Sequence, residues 1–279
     1  MTGKLVICAT PIGNLGDASP RLLETLRSAD LIAAEDTRRT VNLLRHFGIV
    51  TQVLSYHQHS TQHKHEALLH QLLLGKTIAL VSDAGTPGIS DPGEELIRDA
   101  INSGAEVTII PGPMAGVAAL VVSGLPTGRF AFEGFLPRGK CERRQILASL
   151  QSEVRSLVFY EAPHRIKDTL RDMYDAWGDR RAALVRELTK TFEEVKRGTL
   201  SQLIDHFAEN EARGEMVLVV AGNDAPLVPE EAASPERLLA SLLSEGHSPA
   251  QAVRRAAKQC EMPREELYQL VMHLRTTRE

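Results

Sequence analysis

Cysteine, surplus charge and long apolar runs are all scarce in this sequence of 279 residues, and each scarcity narrows its function. Cysteine occurs three times, at Cys8, Cys141 and Cys260, far apart and odd in number. With no CxxC pair, neither a disulfide framework nor a zinc site is indicated, and a reducing cytoplasm is the expected setting. Lys and Arg number 32 against 36 Asp and Glu, a formal charge of −4, so any nucleic-acid surface must be a local basic patch. No apolar run approaches the ~20 residues that span a membrane. Residues 5–9 follow Met1-Thr2-Gly3-Lys4 directly and read as a first strand rather than a signal peptide. The remaining balance, 43% hydrophobic and 24% charged, suits a globular chain long enough for two α/β domains and a small appendage.

What is present is one kind of loop used three times. The stretch Val81-Ser82-Asp83-Ala84-Gly85-Thr86-Pro87-Gly88-Ile89-Ser90-Asp91-Pro92-Gly93 follows the apolar run Ile78-Ala79-Leu80 and precedes a helical pattern over 94–101. Asp91 reads as its N-cap, Pro92 as the first helical residue and Glu94 as the return partner of a capping box. Residues 10–17, Thr10-Pro11-Ile12-Gly13-Asn14-Leu15-Gly16-Asp17, form a similar loop between strand 5–9 and a helix opened by Ser19-Pro20. Pro111-Gly112-Pro113-Met114-Ala115-Gly116 form the third, between strand 106–110 and an apolar helix over 117–122. Loops of this kind line up along one edge of a parallel sheet, where a single small ligand can touch all three. None has the GxGxxG or Walker pattern, which leaves dinucleotide and P-loop readings without support.

Other motifs carry two readings each. Glu35-Asp36-Thr37-Arg38-Arg39, after strand 31–34, reads first as a salt-bridged turn and second as a source of a general base. His57, His59, His63, His65 and His70 crowd together, but no useful pair beyond the helix start at Ser60-Thr61 has i, i+4 spacing. They read as solvent- or RNA-facing histidines rather than metal ligands. Residues 124–128 form a linker, after which the strand–helix alternation restarts. Basic residues gather there, and the loop residues Arg138, Arg165 and Lys190 are the candidates for phosphate contact. Residues 224–233 form a second linker to a tail of three helices, two opening with Ser-Pro, spaced like a helix-turn-helix. The expected domains are 1–123, 124–225 and 226–279.

The motifs 9–17, Ala34-Glu35-Asp36-Thr37-Arg38, Ser55-Tyr56-His57, 82–93, Pro111-Gly112-Pro113, Phe135-Leu136-Pro137, Tyr160-Glu161-Ala162-Pro163-His164-Arg165 and Arg186-Glu187-Leu188-Thr189-Lys190 occur in order. Together they resemble the tetrapyrrole-methylase superfamily of S-adenosylmethionine (SAM) enzymes, and within it the branch that acts on ribosomal RNA. Gly85-Thr86-Pro87 replaces the GDP-type loop of the corrin and sirohaem methylases, which favours the RNA branch. The resemblance implies two α/β domains with SAM in the cleft between them. It implies 2′-O-methylation of a decoding-centre cytidine in 16S rRNA within the small ribosomal subunit, by a metal-free homodimer. The implied cofactor contacts are Pro11, Ala84, Gly85, Thr86, Ile89, Met114 and Ala115, joined by Tyr160, Glu161 and Leu188.

The base stays open between Asp83, Glu35 and His164; Asp83 is the best placed in sequence and competes with a loop-closing hydrogen bond. A tetrapyrrole methylase of the same fold is the near alternative. A magnesium-dependent phosphohydrolase built on Asp83, Asp91, Glu94 and Glu35 is the distant one.

Overall fold

The computed structural model describes residues 3–57, 61–223, 248–259 and 262–276, with positions 235, 239, 242 and 243 between them. The chain divides into two compact units, Met1–Asn223 and Asp224–Glu279. The first is built on two five-stranded sheets.

The first sheet contains β1 (Lys4–Cys8), β2 (Leu31–Ala34), β3 (Val53–Ser55), β4 (Thr77–Val81) and β5 (Glu106–Ile110), in the order β3-β2-β4-β1-β5. Every pairing is parallel. Its inner strands are apolar throughout because both faces are covered. Val6 and Cys8 of β1 turn to one face, where Leu22 and Leu26 of α1 (Pro20–Ser28) and Leu44 of α2 (Thr37–His46) meet them. Leu5 and Ile7 turn to the other, against Leu68 and Leu72 of α3 (Gln62–Leu73) and Leu96 and Ala100 of α4 (Glu94–Asn102). This two-residue alternation fixes the register, since a slip by one would send each set to the wrong helices.

The start of α4 differs from its sequence reading. Its N-cap is Gly93, at φ 136°, and no side chain caps it. Gly88 at φ 84° and Ser90 at φ 57° wind the preceding loop, and a Cβ on Gly93 would lie 3.0 Å from Leu80 Cδ2. The helix therefore begins two residues later than the Asp91-Pro92 signature indicates, and Asp91 is left in the loop.

The second sheet contains β6 (Phe130–Phe135), β7 (Ser156–Glu161), β8 (Arg181–Arg186), β9 (Glu194–Thr199) and β10 (Met216–Val220), in the order β6-β7-β10-β8-β9. Only β6–β7 is parallel among these pairings. One face packs on α6 (Lys140–Ser149), α7 (Ile166–Trp177) and α8 (Leu200–Glu209) through Leu147, Leu170, Met173, Phe207 and Leu218. The other is covered by α5 (Ala115–Ser123), whose Ala119 and Leu120 meet Val158, Val185, Val217 and Val219. Thus α5 precedes the 123/124 boundary in the chain yet buries itself on the second sheet. Between α6 and α7, Asp172 accepts from Arg143 Nε and Nη2 at 2.8 and 2.5 Å, with both side chains buried.

In the second unit, α9 (Pro249–Gln259) and α10 (Arg264–Thr276) share an apolar core with Leu239 and Leu242. Ser248 and Gln251 cap α9 reciprocally, as Ser-Pro foreshadows. The linker 224–233, Ser234, most of the first tail helix, Cys260, Glu261, His59 and Ser60 lie outside the described residues. Among the described residues, no helix is long and apolar enough to cross a membrane.

Candidate active site

The three Gly/Pro loops follow β1, β4 and β5, which are adjacent, so parallel pairing brings them to one sheet edge. They are also laced together. Thr10 and Gly85 exchange backbone hydrogen bonds at 2.9 and 3.0 Å. Thr10 Oγ1 donates to the Ser82 carbonyl at 3.3 Å, and Thr86 Oγ1 to the Pro113 carbonyl at 3.3 Å. Gly85 sits at φ 84°, a region costly for other residues, and this turns its backbone into the cleft.

Above the loops lies a cleft of about 380 Å³. Of the expected cofactor contacts, Ala84, Gly85, Thr86, Ile89, Met114, Ala115, Tyr160, Glu161 and Leu188 all line it. Pro11 does not: the loop presents Ile12 to this cleft and Pro11 to a smaller depression behind Asp83. Glu161 borders the cleft while its carboxylate is buried, accepting from Thr169 Oγ1 at 2.5 Å and the Ala162 amide at 2.8 Å. Tyr160 ties β7 to the start of α5, its phenol oxygen accepting from the Gly116 amide at 3.2 Å. Burial, then the nearby Asp91 charge against that amide bond, pushes the phenol pKa up.

Carboxylates gather at one end. Glu35, Asp83 and Asp91 line the cleft with Arg39, its only lining cation among the described residues. Asp83 Oδ1 accepts from the Asp36 amide at 2.9 Å, and its Oδ2 lies 3.5 Å from Arg39 Nε. Asp83 thus ties its loop to the turn after β2. Burial and the Asp83 charge raise the Glu35 pKa. Asp91 is pushed up to about 6, by burial first and then by Glu35, with a hydrogen bond from Ser82 opposing. The expected salt-bridged turn is present next door: Arg38 grips Asp36 through Nε at 3.0 Å and Nη2 at 2.7 Å, holding that carboxyl at about 2.

A second cleft of about 780 Å³ continues from the first, sharing Glu35, Ser90, Asp91 and Phe135 with it. Phe135 is 55% exposed at this junction and braced by Tyr160, ring centroids 5.5 Å apart. His65 lies at the wall of this cleft and not toward solvent. It is buried, with Nδ1 3.0 Å from the Tyr56 hydroxyl and Nε2 3.0 Å from Asp99. Helical burial, invisible in the histidine spacing, turned it inward. Among the described residues, no group of three or more His, Cys, Asp or Glu side chains is arranged to hold a metal ion. Of the acids in the magnesium alternative, Asp83 and Glu94 line no cleft in common.

The remaining candidates fall elsewhere. His164 is exposed and lines neither cleft. Arg165 donates through Nη2 to the Leu136 and Pro137 carbonyls at 2.7 and 3.0 Å, bracing the turn that carries Arg138. Lys190 Nζ pairs with Glu187 at 3.0 Å and Glu215 at 2.9 Å. Arg138 is exposed. The sequence reading missed Phe135 and Arg39 as cleft residues, although both stand in motifs it singled out. It also missed residues 214–217, for which no local pattern speaks.

The cleft suits a compact, part-apolar cation: laced backbone loops below, apolar side chains around, carboxylates at the mouth. The comparisons with known proteins agree with that shape. Residues 229–275 match the RsmI C-terminal HTH domain. Ribosomal RNA small subunit methyltransferase I of Synechocystis sp. is 50% identical over 98% of this chain and 98% of its own. The protein of that name from Halalkalibacterium halodurans is 46% identical over 96% of this chain and 94% of its own. In fold, the chain is similar to the uroporphyrin-III C-methyl transferase from Thermus thermophilus complexed with S-adenyl homocysteine, at a TM-score of 0.55 and 18% identity, covering 78% of this chain and 97% of that one. Residues 4–204, which carry both sheets' strands but the last and all three laced loops, match the Tetrapyrrole (Corrin/Porphyrin) Methylases, and the chain belongs to that family.

Proposed function

We propose that this protein is a SAM-dependent methyltransferase that methylates the ribose 2′-oxygen of a decoding-centre cytidine in 16S rRNA. The observation that carries the reading is the likeness, over nearly the whole chain and including the helical tail, to proteins named ribosomal RNA small subunit methyltransferase I. The substrate is RNA within the small ribosomal subunit, and the protein acts in the cytoplasm as a homodimer.

Bound SAM supplies a methyl group already activated by its sulfonium. The protein has to hold the ribose oxygen in line with that methyl and keep water out. The carbonyls of the laced loops can cradle the methyl through weak CH···O contacts. The carboxylates at the mouth favour a cationic donor over its neutral product. Phe135 offers a flat apolar face at the junction of the two clefts, on which a base lifted from its stack can lie. Arg138, exposed on a turn braced by Arg165, is the phosphate contact of this reading. Arg165 and Lys190 act by holding the loops in place.

Transfer of tritiated methyl from SAM to small subunits, free 16S rRNA and a tetrapyrrole acceptor tests the reading. Label in the RNA, recovered as a ribose-methylated cytidine, is the expected result; label in the tetrapyrrole alone would overturn it.

A further inference from the structure

Methyl transfer to a ribose hydroxyl releases a proton, and Glu35, Asp83 and Asp91 cluster at one end of the cleft. Asp83 is engaged on both oxygens, by the Asp36 amide and by Arg39. Glu35 accepts from the Asp83 amide at 3.4 Å. Asp91, like Glu35, lines the first cleft and the second, where the donor's space meets the space open to the acceptor. Unlike those of Glu35 and Asp83, its carboxylate accepts from no backbone amide among the described residues. Its backbone is held there under constraint. Ser90 before it adopts φ 57°, and Gly134, at φ 61° in the irregularity of β6, packs so closely that a Cβ would lie 2.9 Å from Ser90 Oγ. A strained non-glycine residue pressed between two lobes and followed by an acid at a cleft junction is a costly arrangement for a mere turn.

We propose that Asp91 is the catalytic base, taking the proton of the ribose 2′-hydroxyl as the methyl group is transferred. The inference rests on the ribose-methylation reading above. In the step, the 2′-oxygen forms a bond to the methyl carbon while the methyl–sulfur bond breaks and its electron pair stays on sulfur. The hydroxyl proton passes to an Asp91 carboxylate oxygen and later to solvent. The groups facing Asp91 suit the task. Glu35, from the end of β2, and Asp83, from its own loop, raise its proton affinity, and the nearby Ser82 hydroxyl acts the other way. Tyr160 from β7 feels its charge, and Arg39 at the rim is paired with Asp83. Glu94, Glu95 and Glu133 line the adjoining cleft and add negative field. An acid of ordinary affinity would be ionised but weak as a base; one titrating at about 6 is still ionised near neutrality and holds a proton better.

The test uses the full-length protein with small subunits and SAM, followed by single-turnover rates and by calorimetry of SAM binding. Asp91→Asn is expected to slow methyl transfer about 100- to 1,000-fold while SAM affinity stays within about fivefold. The wild-type rate should rise with pH through an inflection near 6, which Asp91→Asn abolishes and Glu35→Gln moves downward. Asp91→Glu should recover part of the rate. SAM binding by Asp91→Asn also reports that the variant is folded. A rate within threefold of wild type, an inflection that survives in Asp91→Asn, or equal losses of rate and SAM affinity would overturn the proposal. A wild-type protein that labels no rRNA, alone or in subunits, would overturn the ribose-methylation reading and this inference with it. Normal wild-type labelling beside an unimpaired Asp91→Asn would overturn only the inference.

Discussion

The two sheets of the first unit reach the same cleft by different routes. In the first, all strands run parallel, so β1, β4 and β5 end at one edge and each must bend into a helix there. Three Gly/Pro loops result, and the ligand-facing residues stand in short, readable motifs. In the second, β10 runs antiparallel to both neighbours, with Met216 opposite Glu161 of β7 and Arg186 of β8. The start of β10 therefore lies beside the ends of β7 and β8. Gly214 to Val217 line the cleft next to Tyr160, Glu161 and Leu188 although some 50 residues separate them from the first two. Parallel topology concentrates a site into strand-end loops; mixed topology disperses it over strand ends and strand beginnings.

The comparison can be broken most severely by unsettling the second sheet's helical layer. Asp172→Ala strands the buried Arg143 guanidinium and should cost about 3–5 kcal/mol of unfolding free energy, read by denaturant titration. Replacing both partners, Arg143→Met with Asp172→Leu, should return most of it. On the first sheet, Gly85→Val forces a β-branched residue to φ 84° in a laced loop. A strain of about 2 kcal/mol predicts roughly thirtyfold weaker SAM binding by calorimetry. Gly104→Val, at a similar φ of 77° but with no atom within 4 Å of its Cβ, should lower stability and leave SAM binding unchanged.

Phe135→Ala removes the surface at the junction of the clefts. It should raise KM for small subunits about tenfold, equivalent to ~1.4 kcal/mol of lost stacking, with SAM affinity unaltered. Asp91→Asn should also change stability with pH. The folded carboxyl titrates at about 6 against the ordinary aspartate value of 3.8, so its contribution is complete below pH 4 and is lost as pH rises through 6. The variant should accordingly be the more stable above pH 7, by about 1–2 kcal/mol after discounting for partial exposure, and level with wild type near pH 4. Thermal melts across that range check the sign. The smallest effect belongs to the second lobe's surface: Arg138→Ala should weaken subunit binding a few-fold and lower its logarithmic salt slope by about one. Arg165→Ala, which unbraces the same turn, should register in melting temperature as well.

Particular residues show how far the linear chain could be read. The three loops that hold Ala84 to Thr86, Met114 and Ala115 were legible because a glycine or proline beside a strand end has few structural uses, while those residues as contacts came from the resemblance. Leu188 and Tyr160 also came from the resemblance, and no Gly/Pro loop marks their place. Asp91 was misplaced by a sound local rule: Asp-Pro-Gly-Glu is a good helix start, and left-handed backbone at Ser90 with Gly93 at φ 136° defers the helix in favour of the cleft. His65 was misread because a helix has a buried side that five crowded histidines do not reveal. Arg165 and Lys190 look like free cations in the sequence, and in the fold they serve carbonyls and carboxylates.

By itself the sequence determined the apolar strands and the three bending loops, and its ordered motifs pointed to the family. The strands and loops follow from short-range chemistry: side-chain period, glycine's freedom, proline's fixed φ. Tertiary structure alone decided which acids stand between the two clefts, which cations remain exposed, and how α5, written into the first half of the chain, comes to cover the second sheet. Proton affinity and pairing depend on neighbours brought from far along the chain, and only packing assembles those neighbours.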